Sequence, residues 1–293
     1  MMLLPSQPRI ASLAYRTFVS VLLAIIAYGS LAGPAAAGQH FQRIITVVLE
    51  NTDYADASRQ PFLSRLAARG AVLQNLQAET HPSQGNYIAL VSGGTHGVTS
   101  DAAVDLDVRH VGDLLDSKGL SWKVYAEQYP GNCFTGDMSG AYRRKHLPFL
   151  SFVSIQKNPL RCRNIVEAKE WSADLACGSL PAYALYVPDL DDDGHDTGVE
   201  YADRWLERHL RPLLDNPNAM RGTLLVVTFD ESKRSLPNRV FTVLVGDSVK
   251  PGSVVTAALT HYSLLRLVED NWALGDLGAM DRSAAEIDPA IWR

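Results

Sequence analysis

The chain has 293 residues, 46% of them hydrophobic, and a formal charge of −5. That length and apolar content suffice for one large α/β domain or two smaller ones, with ample material for a core. The mildly acidic balance, without a dense Lys/Arg block, excludes non-specific nucleic-acid binding through a basic face.

At the N-terminus Arg9 and Arg16 precede an apolar run over 18–32, and Ala35-Ala36-Ala37 follows. A positive segment, an apolar stretch and an A-x-A site read as a secretory signal peptide of residues 1–37. An uncleaved anchor is the alternative, but Gly29, Gly33 and Pro34 interrupt the run short of the roughly 20 residues a span needs. The mature chain is then expected to begin at Gly38 as a single domain over 38–293, secreted or periplasmic, with no stable membrane insertion. In that oxidising compartment Cys133, in a Gly/Asn turn, and Cys162 read as a loop staple that leaves Cys177 over. Three pairings remain open, and no C-x-x-C spacing suggests a thiolate metal site.

The run 44–49 reads as a buried parallel strand that delivers Glu50-Asn51. A helix over 61–69 follows, with Phe62, Leu63, Leu66 and Ala67 on one face and Gly70 as its stop. A strand over 71–77 leads to Thr80-His81-Pro82-Ser83-Gln84-Gly85-Asn86-Tyr87, and a helix over 86–92 ends at Gly93-Gly94. Next come a helix over 111–118, stopped by Gly119, and a strand over 121–126. From 127 to about 180 Gly, Pro and Asn concentrate around both staple cysteines and the basic cluster Arg143-Arg144-Lys145-His146. This reads as a loop-rich insertion over the carboxyl end of the sheet and not as a second domain. A strand over 183–187 opens into Asp189-Leu190-Asp191-Asp192-Asp193-Gly194-His195-Asp196. A helix over 200–214, a strand over 223–229 ending in Asp230-Glu231, a strand over 240–245 and a helix over 261–272 complete the chain. Strands alternating with helices point to an α/β fold with a doubly wound, mostly parallel sheet flanked by helices.

In open α/β sheets the working groups collect at the carboxyl ends of the strands. Glu50, Asn51, Asp230 and Glu231 stand there as hard oxygen donors suited to Mg²⁺, Ca²⁺ or Mn²⁺. One acidic pair alone would read as a helix cap; two on one sheet are harder to assign that way. Ser83 is the candidate nucleophile, inert until a base or metal activates it, and the helix behind it offers N–H groups to a phosphate oxygen. Its alternative is a plain N-cap. His195, next to Asp196, could protonate a leaving oxygen, bind a second metal or hold a phosphoryl oxygen. The run 189–193 resembles a calcium loop in composition but lacks the EF-hand spacing. His261 either faces the site or caps the last helix, and the role of His81 stays open. The cluster 143–146 is either a solvated turn or a lid in which Lys145 and His146 meet a substrate phosphate. Together these groups suit a metal-assisted attack on a phosphate ester.

With Tyr142-Arg143-Arg144-Lys145-His146, Gly194-His195-Asp196, Thr228-Phe229-Asp230-Glu231, Asn238 and His261-Tyr262-Ser263-Leu264-Leu265 added to the motifs around Glu50 and Ser83, the chain resembles a known family over about 44–292. That is the phosphoesterase family of the alkaline phosphatase superfamily, which holds secreted bacterial and fungal acid phosphatases and phosphatidylcholine-type phospholipases C. The chain is most similar to the acid phosphatase branch. The resemblance implies an alkaline-phosphatase-like fold and a divalent metal bound by Glu50, Asn51, Asp230 and Glu231 together with Ser83, which forms a phosphoseryl intermediate. It implies further that Asn86 and His146 contact phosphate and that His195, Asp196 and His261 line the site. His195 is expected to deliver the proton, with His261 as its possible exchange partner. The expected function is a metal-dependent acid phosphatase acting on small phosphorylated monoesters; the alternative is a phospholipase C-type phosphodiesterase acting on phospholipid headgroups. A Ser-His-Asp esterase lacks its G-x-S-x-G elbow here, and a phosphate-binding protein without turnover would not need the intact Ser83. Gly85 stands where the family usually has Pro, Ser232-Lys233-Arg234 where more acid or Gly is common, and Asp189 and Asp191 where Asn is frequent. The physiological substrate, the metal and the oligomeric state are not legible.

Overall fold

A computed structural model describes residues 1–2, 38–233 and 236–293, so the proposed signal peptide and its cleavage site lie almost wholly outside the described residues. The described residues build an eight-stranded sheet from β1 (Arg43–Leu49), β2 (Ala71–Leu73), β3 (Trp122–Ala126), β4 (Ile165–Glu167), β5 (Tyr183–Val187), β6 (Thr223–Phe229), β7 (Val243–Gly246) and β8 (Ser253–Val255). Their order is β8-β2-β7-β6-β1-β5-β3-β4. Strand β7 runs antiparallel to β6 and β2, and the remaining pairs are parallel. Every residue of β5 and β6, and every residue of β1 after Arg43, is buried. Continuous Val/Ile/Leu runs are what a strand covered on both faces requires.

Among the described residues six helices of seven residues or more flank the sheet: α1 (Pro61–Arg69), α2 (Gln84–Ser92), α3 (Val111–Ser117), α4 (Glu170–Cys177), α5 (Val199–Leu214) and α6 (His261–Asn271). Helix α1 lacks a capping side chain of its own. Asp203 of α5 supplies one, its buried carboxylate accepting from the N–H groups of Phe62 at 3.0 Å and Leu63 at 2.9 Å. A carboxylate there satisfies two orphan donors and complements the helix dipole, which fixes α1 on α5. At the other end of the chain, Asn271 closes α6 on the residues after Gly38. Its Oδ1 accepts from the N–H groups of His40 and Phe41, and its Nδ2 donates to the Phe41 carbonyl.

The structure departs from the expected elements where the sheet ends. The expected strand over 71–77 divides. Its first part is β2, whereas Leu76–Gln77 lies in a separate three-stranded sheet between Arg239–Val240 and Leu259–Thr260. The expected strand over 240–245 divides in the same way, its second part becoming the reversed β7. Apolar alternation marks extended backbone but says nothing of which sheet receives it. The insertion over 127–180 is less loop-like than its composition suggests: it returns β4 to the sheet edge and adds α4. The expected staple is present as a Cys133–Cys162 disulfide, and Cys177 is free and exposed.

His110 caps α3 as a neutral ring. Its Nδ1 accepts from the Gly112 N–H at 3.1 Å, and its fully buried imidazole packs on Phe149 and Phe152. Burial holds its pKa down at about 4, against an ordinary 6.5. A depressed histidine stabilises fully above the unfolded value, and that contribution is lost as pH falls through 6.5 toward 4, at up to about 1.4 kcal/mol per pH unit. His110→Asn keeps a cap acceptor but does not titrate. Its melting temperature should lie below wild type at pH 7, and the gap should narrow steadily toward pH 4. A gap constant with pH would refute this.

Candidate functional site

Strands β6, β1 and β5 are neighbours in the sheet, so the residues just past their carboxyl ends meet. The backbone ties them together: Glu50 N–H donates to the Asp193 carbonyl at 3.0 Å and Asp230 N–H to the Leu49 carbonyl at 2.9 Å. Asn51 takes a left-handed conformation, φ 44°, which asparagine tolerates better than most residues, and its N–H donates to Asp230 Oδ1 at 3.1 Å. Glu50, Asp193 and Asp230 are thereby buried side by side at the base of the site.

Ser83 sits at the N-terminus of α2 but does not cap it with its side chain. Its buried hydroxyl donates instead to Glu50 Oε2 at 3.0 Å. Asp101 does the capping, its Oδ1 accepting from Gln84 N–H at 3.1 Å, while the Gln84 side chain donates to the carbonyls of Ser100 and Ala102. The helix terminus is thus satisfied by another residue and the Ser83 hydroxyl is left to the site. Gly85 has a packing reason: a Cβ there would fall 2.6 Å from the Thr80 methyl. The turn is held by close packing at this position.

His146, delivered by the insertion, completes the base. Its Nε2 lies 3.3 Å from Glu50 Oε1 and its Nδ1 3.4 Å from Asp193 Oδ2. Burial, and then the Lys145 charge, keep this imidazole well below its ordinary pKa and so neutral. A neutral ring has one N–H, so at least one ring nitrogen presents a lone pair to a carboxyl oxygen, which can meet it only by carrying a proton or by sharing a cation with it. Four buried atoms here have no hydrogen-bond partner: Glu50 Oε1, His146 Nε2, Asp193 Oδ2 and Asp230 Oδ2. Burial, and then the neighbouring carboxylates, push Glu50 well up and Asp193 to about 9; burial alone leads in raising Asp230 to about 6. Orphaned acceptors on this scale are costly without a positive charge between them. Glu50, His146 and Asp193 offer atoms all within 4.8 Å of one another, the donor set a divalent cation takes.

This arrangement shares Glu50 and Asp230 with the expected metal ligands and adds His146 and Asp193. Glu231 is engaged elsewhere: its Oε2 takes His81 Nδ1 at 2.8 Å and Asn86 Nδ2 at 3.4 Å. Burial, and then Asp230, raise it to about 8. Asn86 is also occupied, its Oδ1 accepting from the N–H groups of Glu79 and Thr80 and its Nδ2 donating to the Thr80 carbonyl. Asn238 joins the same carbonyl to the segment after Glu231, accepting from Ser232 N–H at 2.7 Å and donating to Thr80 O at 2.8 Å. Asn86 and Asn238 therefore lock the Ser83 turn onto the end of β6.

His261 does not take the expected place at the reacting centre. Its Nδ1 faces Glu79 Oε2 at 2.6 Å and its Nε2 the Phe229 carbonyl at 3.0 Å. Burial opposes its charge, but Glu79 more than offsets this and holds it above 6.5. A doubly donating imidazolium fits between those two acceptors, so His261 braces the end of β6 and has no lone pair to offer. His195 stands at the mouth, a third of its ring exposed, with Nδ1 2.6 Å from Asp196 Oδ1. Lys145 pairs with Asp101 at 2.8 Å. Arg143 and Arg144 are taken by carbonyls of Gly140, Tyr142, Thr135, Val104 and Leu150. Of the two readings of this cluster, solvated turn or lid, the arrangement matches neither in full: Arg143 and Arg144 brace the insertion, while His146 reaches the base of the site.

A phosphoesterase family model matches residues 40–275. A probable acid phosphatase of Kluyveromyces lactis is 38% identical over 84% of this chain and 62% of its own length. An acid phosphatase of Aspergillus fumigatus is 36% identical, over 84% of this chain and 58% of its own. This chain thus spans about six-tenths of those relatives. A phosphatidylinositol-3-phosphatase of Mycobacterium tuberculosis is 32% identical over 83% of this chain and 81% of its own. Among solved structures, an alkaline phosphatase superfamily protein from Vibrio parahaemolyticus superposes with a TM-score of 0.58 at 13% identity, covering 85% of this chain and 71% of that one. That likeness shows the fold.

Proposed function

We propose, because this chain belongs to the phosphoesterase family, that it hydrolyses phosphate monoesters by way of a phosphoseryl intermediate on Ser83. The observation that carries this reading is the Ser83 hydroxyl donating to Glu50 inside a cluster of buried, unpartnered carboxylate oxygens. The fungal and mycobacterial relatives, phosphatases by name, support it.

In this reading Ser83 Oγ forms a bond to phosphorus as the bond to the leaving oxygen breaks, and Glu50 Oε2 is the nearest acceptor for the hydroxyl proton. Lys145, held by Asp101, offers a positive charge to the phosphoryl oxygens. His195, oriented by Asp196, protonates the leaving oxygen at the mouth. Water then cleaves the seryl ester and phosphate departs. A divalent cation held by Glu50, Asp193, Asp230 and His146 would supply Lewis-acid charge to the phosphoryl oxygens and lower the pKa of the serine hydroxyl. Secretion fits the reading, through the charged and apolar N-terminal segment and the Cys133–Cys162 bridge. No described helix is long and apolar enough to cross a membrane.

The test compares p-nitrophenyl phosphate with p-nitrophenylphosphorylcholine between about pH 4 and 8. The monoester should be hydrolysed with kcat/KM at least about a hundredfold above the diester, a discrimination of about 2.7 kcal/mol. A reversed preference would move the protein to phosphodiester chemistry.

A further inference from the structure

Helix α2 carries Ser83 at its N-terminus and Tyr87 one turn on, where the Tyr87 N–H donates to the Ser83 carbonyl at 3.4 Å. Residues four apart share a helix face, so Tyr87 stands on the side of α2 that Ser83 presents to the site. Its side chain is buried, and its ring lies flat against His146, centroids 5.1 Å apart and planes 16° from parallel. That stack covers one face of the imidazole and leaves the in-plane nitrogens turned to Glu50 and Asp193. The ring is thus accounted for by packing; the hydroxyl is not. It makes no hydrogen bond of ordinary geometry to any described residue, and a buried donor left that way is costly. Glu50 lies within its reach. Glu50 Oε2 takes the Ser83 hydroxyl, while Oε1 is an acceptor without a donor. Burial, and then Glu50, Asp230 and Asp193, keep the phenol protonated, so Tyr87 brings an O–H to an open acceptor. A divalent cation holds a ligating glutamate as carboxylate, and a carboxylate accepts a phenol O–H more strongly than a neutral carboxyl does.

We propose that Tyr87 is a positioning residue of this site: set in place by its stack on His146, its hydroxyl orients Glu50 as a cation ligand and as the acceptor of the Ser83 proton. This role rests on the phosphatase reading and its cation, and it adds a residue that no step of that reading uses.

The test is Tyr87→Phe, which keeps the stack and removes only the hydroxyl. Because that hydroxyl holds no other described residue, the variant should melt within roughly 2 °C of wild type after chelation. Its Kd for Mn²⁺, read by calorimetric titration, should rise about tenfold or more, as loss of a group supporting a ligand does. The gain in melting temperature on adding Mn²⁺ well above both Kd values should shrink by roughly 3–5 °C. At saturating Mn²⁺, kcat on p-nitrophenyl phosphate should fall at least about tenfold, with KM within about threefold of wild type. Unchanged Mn²⁺ affinity overturns the assignment. So does a lower melting temperature after chelation with an unchanged Mn²⁺ gain, the mark of a hydroxyl that only supports the core. A wild type that binds neither Mn²⁺ nor Mg²⁺ overturns it together with the cation at the base of the site. A wild type that binds Mn²⁺ but releases no phosphate defeats the phosphatase reading alone, and the ratio of the two Kd values then decides the role of Tyr87.

Discussion

Ser83→Ala should lower the release of phosphate from p-nitrophenyl phosphate at least about a thousandfold, as removal of a covalent nucleophile does. A thousandfold is about 4 kcal/mol of transition-state stabilisation. The folded protein should hardly notice. The substitution deletes one hydroxyl and one hydrogen bond to Glu50, a net effect of about 1 kcal/mol, and α2 keeps its cap because Asp101 provides it. Loss of turnover with a melting temperature lowered by no more than roughly 2–4 °C is therefore the expected pair of results. Residual activity above a tenth of wild type would remove Ser83 from the mechanism, and a collapsed fold would mean that its role is structural.

Asp193→Asn tests the base of the site with the largest effect on cation binding. The wild type should gain melting temperature on addition of Mg²⁺ or Mn²⁺ and lose it on chelation. Ligand at a thousandfold its Kd stabilises by about 4 kcal/mol, and each kcal/mol shifts the midpoint by roughly 2–4 °C in a domain of this size. Asn keeps the shape and one oxygen of Asp193 but cannot ionise opposite His146 to hold a cation. The variant should bind the cation at least about tenfold more weakly and show a correspondingly smaller gain, together with loss of turnover. A chelated wild type that keeps both its activity and its melting temperature would refute a cation here.

The parts of this molecule that were legible in advance are those with a local signature. Uninterrupted apolar runs can only be buried strands, and acidic residues directly after two of them mark the working edge of a parallel sheet. Ser83 was visible because Pro82 and Gly85 frame it and a helix follows. Asp193 was not, since four aspartates crowd 189–193 and nothing in their spacing distinguishes the one whose carbonyl meets Glu50 N–H. Asp101 stands alone in a loop and acts through Gln84 and Lys145, from separate segments, so no local pattern could mark it. His261 misled for the converse reason. At the start of a helix after a strand it looks like a site residue, and its partner Glu79 lies 182 positions away. The reversal of β7 was hidden too, because alternation carries no sense of direction.

The Asn271 clasp bears on how the chain is processed. The proposed cut after Ala37 lies immediately before Gly38, where a Cβ would fall 2.0 Å from the Phe41 carbonyl, and residues 39–41 are strapped to the end of α6. A peptidase needs its substrate extended for several residues on both sides of the cut, which the closed clasp denies on the mature side. Asn271 is made 230 residues after Phe41, so if the proposed leader is cut after Ala37, the cut can come before the clasp closes, and closure then holds the residues after Gly38 against α6.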